Sequence, residues 1–209
     1  MKVVDISVPI RDAMTVYRGN PPVRIGPAMT LANDGVNLSE ICLGSHTGTH
    51  VDAPSHFIKG GRGVDRLDLT LFLGPAWVAD LRAVKDGIDV EALETARIPK
   101  GTSRVLLRTR NSRLWHPAHA FTTEFVYLAP DGADWLLERG VRLVGIDYLS
   151  IEGFHVSGAP THKRLLGAGV PIIEGLDLFR IPSGRWQMIA LPLRLEHGDA
   201  GLTRAVLFK

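Results

Sequence analysis

Val4, Ile6 and Val8 alternate with Val3, Asp5 and Ser7 at the start of the chain, and this period of two predicts a strand from Val3 to Pro9 with one face covered. The Gly19-Asn20-Pro21-Pro22 run that follows predicts a loop carrying Tyr17. Further apolar-rich runs predict strands near residues 24–30, 37–44, 75–80, 103–109, 125–128, 141–147, 170–174, 186–194 and 202–208, most of them separated by turn residues. Helical patterns run from Val90 to Ala96, ended before Pro99, and from Asp131 to Arg139, terminated at Gly140. A third starts near Pro160 and reaches Ala168, with Gly167 and Gly169 at its end. Strand and helix alternate at short intervals beyond residue 125, whereas the first half is mostly strands and turns. That mixture predicts an α/β fold. No repeat, low-complexity tract or flexible linker divides the 209 residues, so one compact domain over 1–209 is expected.

One stretch breaks the strand-and-turn pattern with chemistry. Residues 45–57, SHTGTHVDAPSHF, hold His46, His50, Asp52 and His56, with the last three at four, six and ten residues from the first. Even offsets put side chains on one face of an extended chain, whereas on a helix they would diverge. Thr47, Gly48, Thr49, Val51 and Pro54 also disfavour a helix. On a straight strand, however, the α-carbons of His46 and His50 would lie about 13 Å apart. Gly48, midway between them, can supply the bend that lets their imidazoles meet. Imidazoles with a carboxylate suit zinc, manganese or iron better than magnesium or calcium, so a transition-metal site is expected here.

The remaining histidines are less distinctive. His162 begins the helical pattern HKRLLGAG, and twelve residues later Glu174 closes the apolar strand VPIIEGL, where an unpaired carboxylate would be costly. Taken alone, both also fit surface or capping positions. His116 and His119 in WHPAHAF read as a polar loop, His155 stands before a loop near His162, and His197 falls in the turn EHGDAG. Asp147 follows an apolar strand, as an acceptor for a neighbouring group or as the strand's polar end.

Composition narrows the function classes. Charged residues make up 22% and the formal net charge is +2 without any run of one sign, so neither nucleic acid nor an anionic membrane is an expected partner. No segment approaches the roughly 18 apolar residues of a membrane span, and the first residues do not read as a signal peptide, which gives a cytoplasmic expectation. Cys42 is the single cysteine, expected to be a buried apolar residue; any metal must therefore be held by histidines and carboxylates.

The stretch HTGTHVDAPSHF resembles the H-x-G-T-H-x-D-x-P-x-H signature of the metal-dependent cyclase-like hydrolases, a group that includes bacterial kynurenine formamidases and has isatin hydrolases as relatives. The similarity continues in order through VVDISVPI, GIDYLSIEG, THKRLLGAGVPIIEGL and LPLRLEHGDAGLTRAVL. The resemblance implies an α/β domain on a mixed, barrel-like sheet, in dimers or larger homo-oligomers. It implies two divalent transition-metal ions, zinc first and manganese second, with His46 and His50 on one, His162 on the other, and Asp52 and Glu174 bridging. His56 would be the unligated catalytic acid/base. The implied reaction is hydrolysis of an amide by metal-activated water, most directly in an aryl formamide such as N-formylkynurenine. A cyclic amide or lactone is the runner-up, and a non-catalytic metal-binding protein the alternative of another class. One departure bears on the substrate: where the kynurenine formamidases carry W-P-G-D after the first strand, this chain has Tyr17-Arg18-Gly19-Asn20. Tyr17 would take the tryptophan's place against the substrate ring.

Overall fold

The computed structural model describes residues 2–116 and 120–209. In chain order the strands are β1 (Val3–Asp5), β2 (Arg24–Met29), β3 (Leu38–Cys42), β4 (His50–Asp52), β5 (Leu73–Asp80), β6 (Gly87–Ile88), β7 (Arg104–Arg108), β8 (Tyr127–Leu128), β9 (Leu143–Ile146), β10 (Ile172–Glu174), β11 (Gly184–Ile189), β12 (Ala200–Leu202) and β13 (Val206–Phe208). Four α-helices accompany them among the described residues: α1 (Leu31–Asp34), α2 (Val90–Thr95), α3 (Pro130–Glu138) and α4 (Pro160–Gly167). The expected helix ends hold for local reasons. Asp89 caps α2 by accepting from Ala92 N–H, and α3 opens on Pro130 and stops before Gly140, whose φ is +75°.

Nine strands form one mixed sheet in the order β1-β13-β11-β5-β7-β9-β10-β4-β12. Its middle, β5 to β10, is parallel, and both flanks are antiparallel. The sheet curls into a half-barrel because the chain just beyond β1 reaches across to the end of β10. Ser7 bridges Leu176, and Asp177 N–H donates to the Ile6 carbonyl at 2.8 Å. Alternation along the central strands then fills two layers. Val78, Leu106, Leu143 and Ile173 pack with Ile6, Phe72, Trp186, Met188 and Leu207 on one face. Ala79, Val105, Leu107, Val144 and Ile172 pack under Leu93, Leu136, Leu165 and Leu166 of the helices on the other.

The expected run at 202–208 is two strands with separate destinations. Residues 203–205 interrupt it, leaving β12 beside β4 and β13 between β1 and β11. The expected strand at 186–194 keeps its ladder only to Ile189. Cys42 is exposed, not buried, because β3 pairs only with β2 in a separate ribbon whose β3 residues are all exposed. No described helix is long and apolar enough to cross a membrane.

Asp147, at the end of β9, ties the parallel strands together. Its carboxylate accepts from the backbone N–H groups and hydroxyls of both Thr109 and Ser112, at 2.6–3.2 Å. Ser112 Oγ in turn accepts from Leu178 N–H. Burial pushes the Asp147 carboxyl up to about 6 although these donors pull it down. Raised above its ordinary range, the group contributes most stability at low pH, and that contribution is lost as pH rises through about 6. The stability advantage of the wild type over Asp147→Asn should therefore shrink by about 2 kcal/mol between pH 4 and pH 7, measured by denaturant unfolding of both proteins. An advantage that grows with pH would mean that the donors outweigh burial.

Candidate metal centre and active site

The antiparallel register of β4 with β10 sets His50 directly opposite Glu174 and Asp52 opposite Ile172. His50 and Asp52, two residues apart, share that face, so three chemically active side chains meet in the sheet itself. His50 and Asp52 are fully buried and Glu174 is 3% exposed. Gly48 makes the expected bend, with φ +62°. Gly175, φ +68°, packs so closely against it that a Cβ there would overlap the Gly48 carbonyl oxygen. The bend returns His46 to the cluster, with its Nδ1 2.9 Å from Asp52 Oδ1.

His162 arrives from the first turn of α4. That helix starts from Ala159 in the left-handed region, φ +51°, without a side-chain cap of its own. Glu152 takes over the capping: its Oε2 accepts from the N–H groups of Thr161 and His162 and lies 3.3 Å from His162 Nδ1. His162 Nε2 then faces Glu174 Oε1 at 3.2 Å and Asp52 Oδ2 at 3.6 Å. Each carboxylate thus divides its oxygens. Asp52 turns Oδ1 to His46 and His50 and Oδ2 to His162; Glu174 turns Oε2 to His50 at 3.5 Å and Oε1 to His162.

The outer nitrogens of the three rings are held from behind. His50 Nδ1 pairs with the Gly48 carbonyl, His46 Nε2 with Asp199 Oδ2 at 3.0 Å, and His162 Nδ1 with Glu152. Their inner nitrogens converge on the carboxylates. Yet His50 Nε2 and both Asp52 oxygens are buried without an aligned hydrogen bond. Inward lone pairs on imidazoles whose far nitrogens are anchored to oxygen are what a divalent cation requires. Three groups of side chains have ligand atoms within 4.8 Å of one another, His46–His50–Asp52, Asp52–His56–His162 and, toward the rim, His46–His56–Asp199; the first two share Asp52. The residues fit cation binding.

His56, from the turn Pro54–His56, is half-buried, its ring centroid 4.0 Å from that of His46 and 6.0 Å from that of His162. Burial holds its imidazole below the usual histidine range. His50 behaves oppositely: burial resists its charge, but Asp52 and Glu174 lift it to about 10. The carboxylates are held low in return by His162, His46 and His50.

The centre forms the floor of a cavity of about 280 Å³. Tyr17, Phe57 and Phe154 line its apolar wall, and Asn20, His46, His56, Glu152, His162 and Glu174 its polar one. Other expected histidines lie elsewhere. His116 pairs with Asp177 at 2.7 Å and His155 with Glu124 at 3.3 Å, both well exposed, and His197 is exposed in its turn. His119 lies outside the described residues. Glu152 and Asp199 are the participants that sequence reasoning passed over. Each is an ordinary turn acid, within SIEGF and EHGDAG, and only the fold brings it to a histidine.

The fold and this centre define a hydrolase-like metal site of a recognised kind. A family model described as "Putative cyclase" matches residues 4–153, and the chain belongs to the Cyclase family. A kynurenine formamidase from Salinibacter ruber is 36% identical over 209 residues, covering 99% of this chain and 97% of that one. The structure of a predicted metal-dependent hydrolase from Bacillus stearothermophilus superposes with a TM-score of 0.84 at 39% identity, covering 99% and 97% of the two chains. Isatin hydrolase A from Ralstonia solanacearum superposes with a TM-score of 0.85 at 26% identity, covering 99% and 91%.

Because Asp52 and Glu174 raise the His50 imidazole to about 10, cation uptake at neutral pH is expected to expel protons. Calorimetric titration of metal-free protein with zinc at pH 7 should give heats that scale with the ionisation enthalpy of the buffer, with about one or more protons released, and affinity that falls as pH is lowered. Buffer-independent heats would contradict the imidazolium-stabilised ground state.

Proposed function

We propose that the chain is a metal-dependent amidohydrolase of aryl formamides, N-formylkynurenine being the leading substrate. The observation that carries this reading is the division of labour at Asp52 and Glu174, each spanning the His46–His50 side and the His162 side with separate oxygens. His46 and His50 would hold one divalent transition cation and His162 the other, with Asp52 and Glu174 between them; zinc suits the donor set first and manganese second. Cations held there would supply the charge that makes water nucleophilic near neutral pH and polarises the carbonyl under attack.

The protein's own groups do the rest. His56, kept neutral by burial, accepts a proton from the attacking water and returns it to the leaving aryl nitrogen. Tyr17, Phe57 and Phe154 hold the aryl ring, and their apolar wall excludes water from the floor. Glu152 and Asp199 fix the rings of His162 and His46. A kynurenine formamidase at 36% identity over the full length supports the formamide substrate. Likeness to an isatin hydrolase, with Tyr17 in place of the formamidases' tryptophan, favours a cyclic amide as the second reading. A non-catalytic metal protein would have no use for His56 beside a sufficient ligand set. The same proposal includes self-association, supported by Met29, Leu38 and Ile41 exposed on the β2–β3 ribbon and Leu191, Leu193 and Leu195 exposed after β11.

Asp52→Ala should lose both bound metal and hydrolysis. His56→Ala should keep its metal and its fold while kcat for N-formylkynurenine falls by about 10²–10⁴-fold. Metal analysis of each purified variant alongside the hydrolysis assay checks both, and undiminished turnover in His56→Ala would remove the assigned acid/base.

A further inference from the structure

The loop after β1 puts two adjacent residues to different uses at the mouth of the cavity. Tyr17 lines it, its ring meeting Phe121 edge-on at 5.1 Å and Phe154 at 5.9 Å between centroids. Arg18 lies over the outside of the same aromatic group, its guanidinium carbon 5.1 Å from the Phe154 centroid and 5.9 Å from that of Phe121. Both distances fall within cation–π range, so the side chain is held by ring faces. No acidic side chain among the described residues pairs with Arg18, and the residue is exposed.

A guanidinium stacked on rings keeps its N–H edge free and turned to solvent, and that edge matches a carboxylate with two parallel hydrogen bonds. The cavity floor is reserved for the scissile carbonyl, beside His46, His56 and His162. A ligand with its aryl ring against Tyr17 and Phe154, and an arm long enough to pass Phe154, would bring the end of that arm to Arg18. We propose that Arg18 is a specificity-determining residue that reads a carboxylate at the end of that substituent. This rests on the amidohydrolase reading above. The acids of the centre lie at the floor and are matched by histidines; Arg18 is the cation at the rim that an anionic arm would meet.

The test compares two substrates that differ in the arm, N-formylkynurenine and 2-formamidoacetophenone, in zinc-loaded wild type and Arg18→Gln. The substitution should raise KM for N-formylkynurenine by about tenfold, the effect of losing one charge-assisted pair at an exposed rim, with kcat unchanged. It should leave both constants for 2-formamidoacetophenone unchanged. Equal change with both substrates would reduce Arg18 to packing on Phe154, and change with neither would remove it from recognition; both outcomes overturn the proposal. Binding of kynurenine and of 2-aminoacetophenone by calorimetry separates the two readings. If neither formamide is hydrolysed, the amidohydrolase reading fails. Arg18 recognition then stands if Arg18→Gln weakens kynurenine alone about tenfold, and falls otherwise.

Discussion

Two carboxylates buried side by side are the constraint around which this molecule is arranged. Asp52 and Glu174 are held together by the β4–β10 ladder, and each raises the cost of charging the other. An unpaired ion in such a place is prohibitive, so positive charge must be built in around them. His46, His50 and His162 supply it, and the backs of those rings are fixed by Asp199, the Gly48 carbonyl and Glu152. The centre therefore has a fixed demand for counter-charge that protons or divalent cations can meet. Its geometry favours cations, because the buried inner atoms of His50 and Asp52 point together without forming aligned hydrogen bonds.

That demand explains features of the fold that otherwise look unrelated. Left-handed backbone at Gly48, Gly175 and Ala159 adjoins the segments that carry the centre. At Gly175 a Cβ would overlap the Gly48 carbonyl oxygen, and both glycines hold a positive φ that residues with side chains rarely adopt. At Ala159 a residue with a Cβ adopts that conformation to open α4 toward the carboxylates, and Glu152 stabilises the helix start by receiving its first N–H groups. Asp147 does comparable work one strand away, where four donors hold the ends of β7 and β9 in line. Strands and a helix start carry His50, Asp52, Glu174 and His162, while the turns that bring in His46, Glu152 and Asp199 are tied to them by hydrogen bonds, which suits a centre whose atoms must stay within tenths of an ångström.

How much of this was legible in sequence follows from where each contact is encoded. His46, His50, Asp52 and His56 are contiguous, and their even spacing with a central glycine carries most of their geometry. The strand and helix positions follow from local periodicity and from Gly140, Pro130 and Pro160. Sheet order does not, because pairing is decided between distant segments: nothing in residues 202–208 says that their two halves join opposite flanks of the sheet. Cys42 misled for the same reason, since an apolar alternating strand reads as covered whether or not a second layer exists above it. Glu152 and Asp199 were invisible because a single acid in a turn is ordinary until a histidine is brought within 3.3 Å of it.

The division between floor and rim also bears on how one fold can serve several substrates. Changing a strand residue such as Glu174 disturbs the charge balance of the whole centre, because His50, His162 and Ile151 N–H all depend on its oxygens. Changing a rim residue such as Tyr17 or Arg18 touches only rings and solvent. On the proposed amidohydrolase reading, substitutions there would alter what is recognised and leave attack on the carbonyl to the floor. The replacement of Trp-Pro by Tyr17-Arg18 falls in this second group, which is why the chemistry of the floor and the choice of substrate can be argued from separate residues.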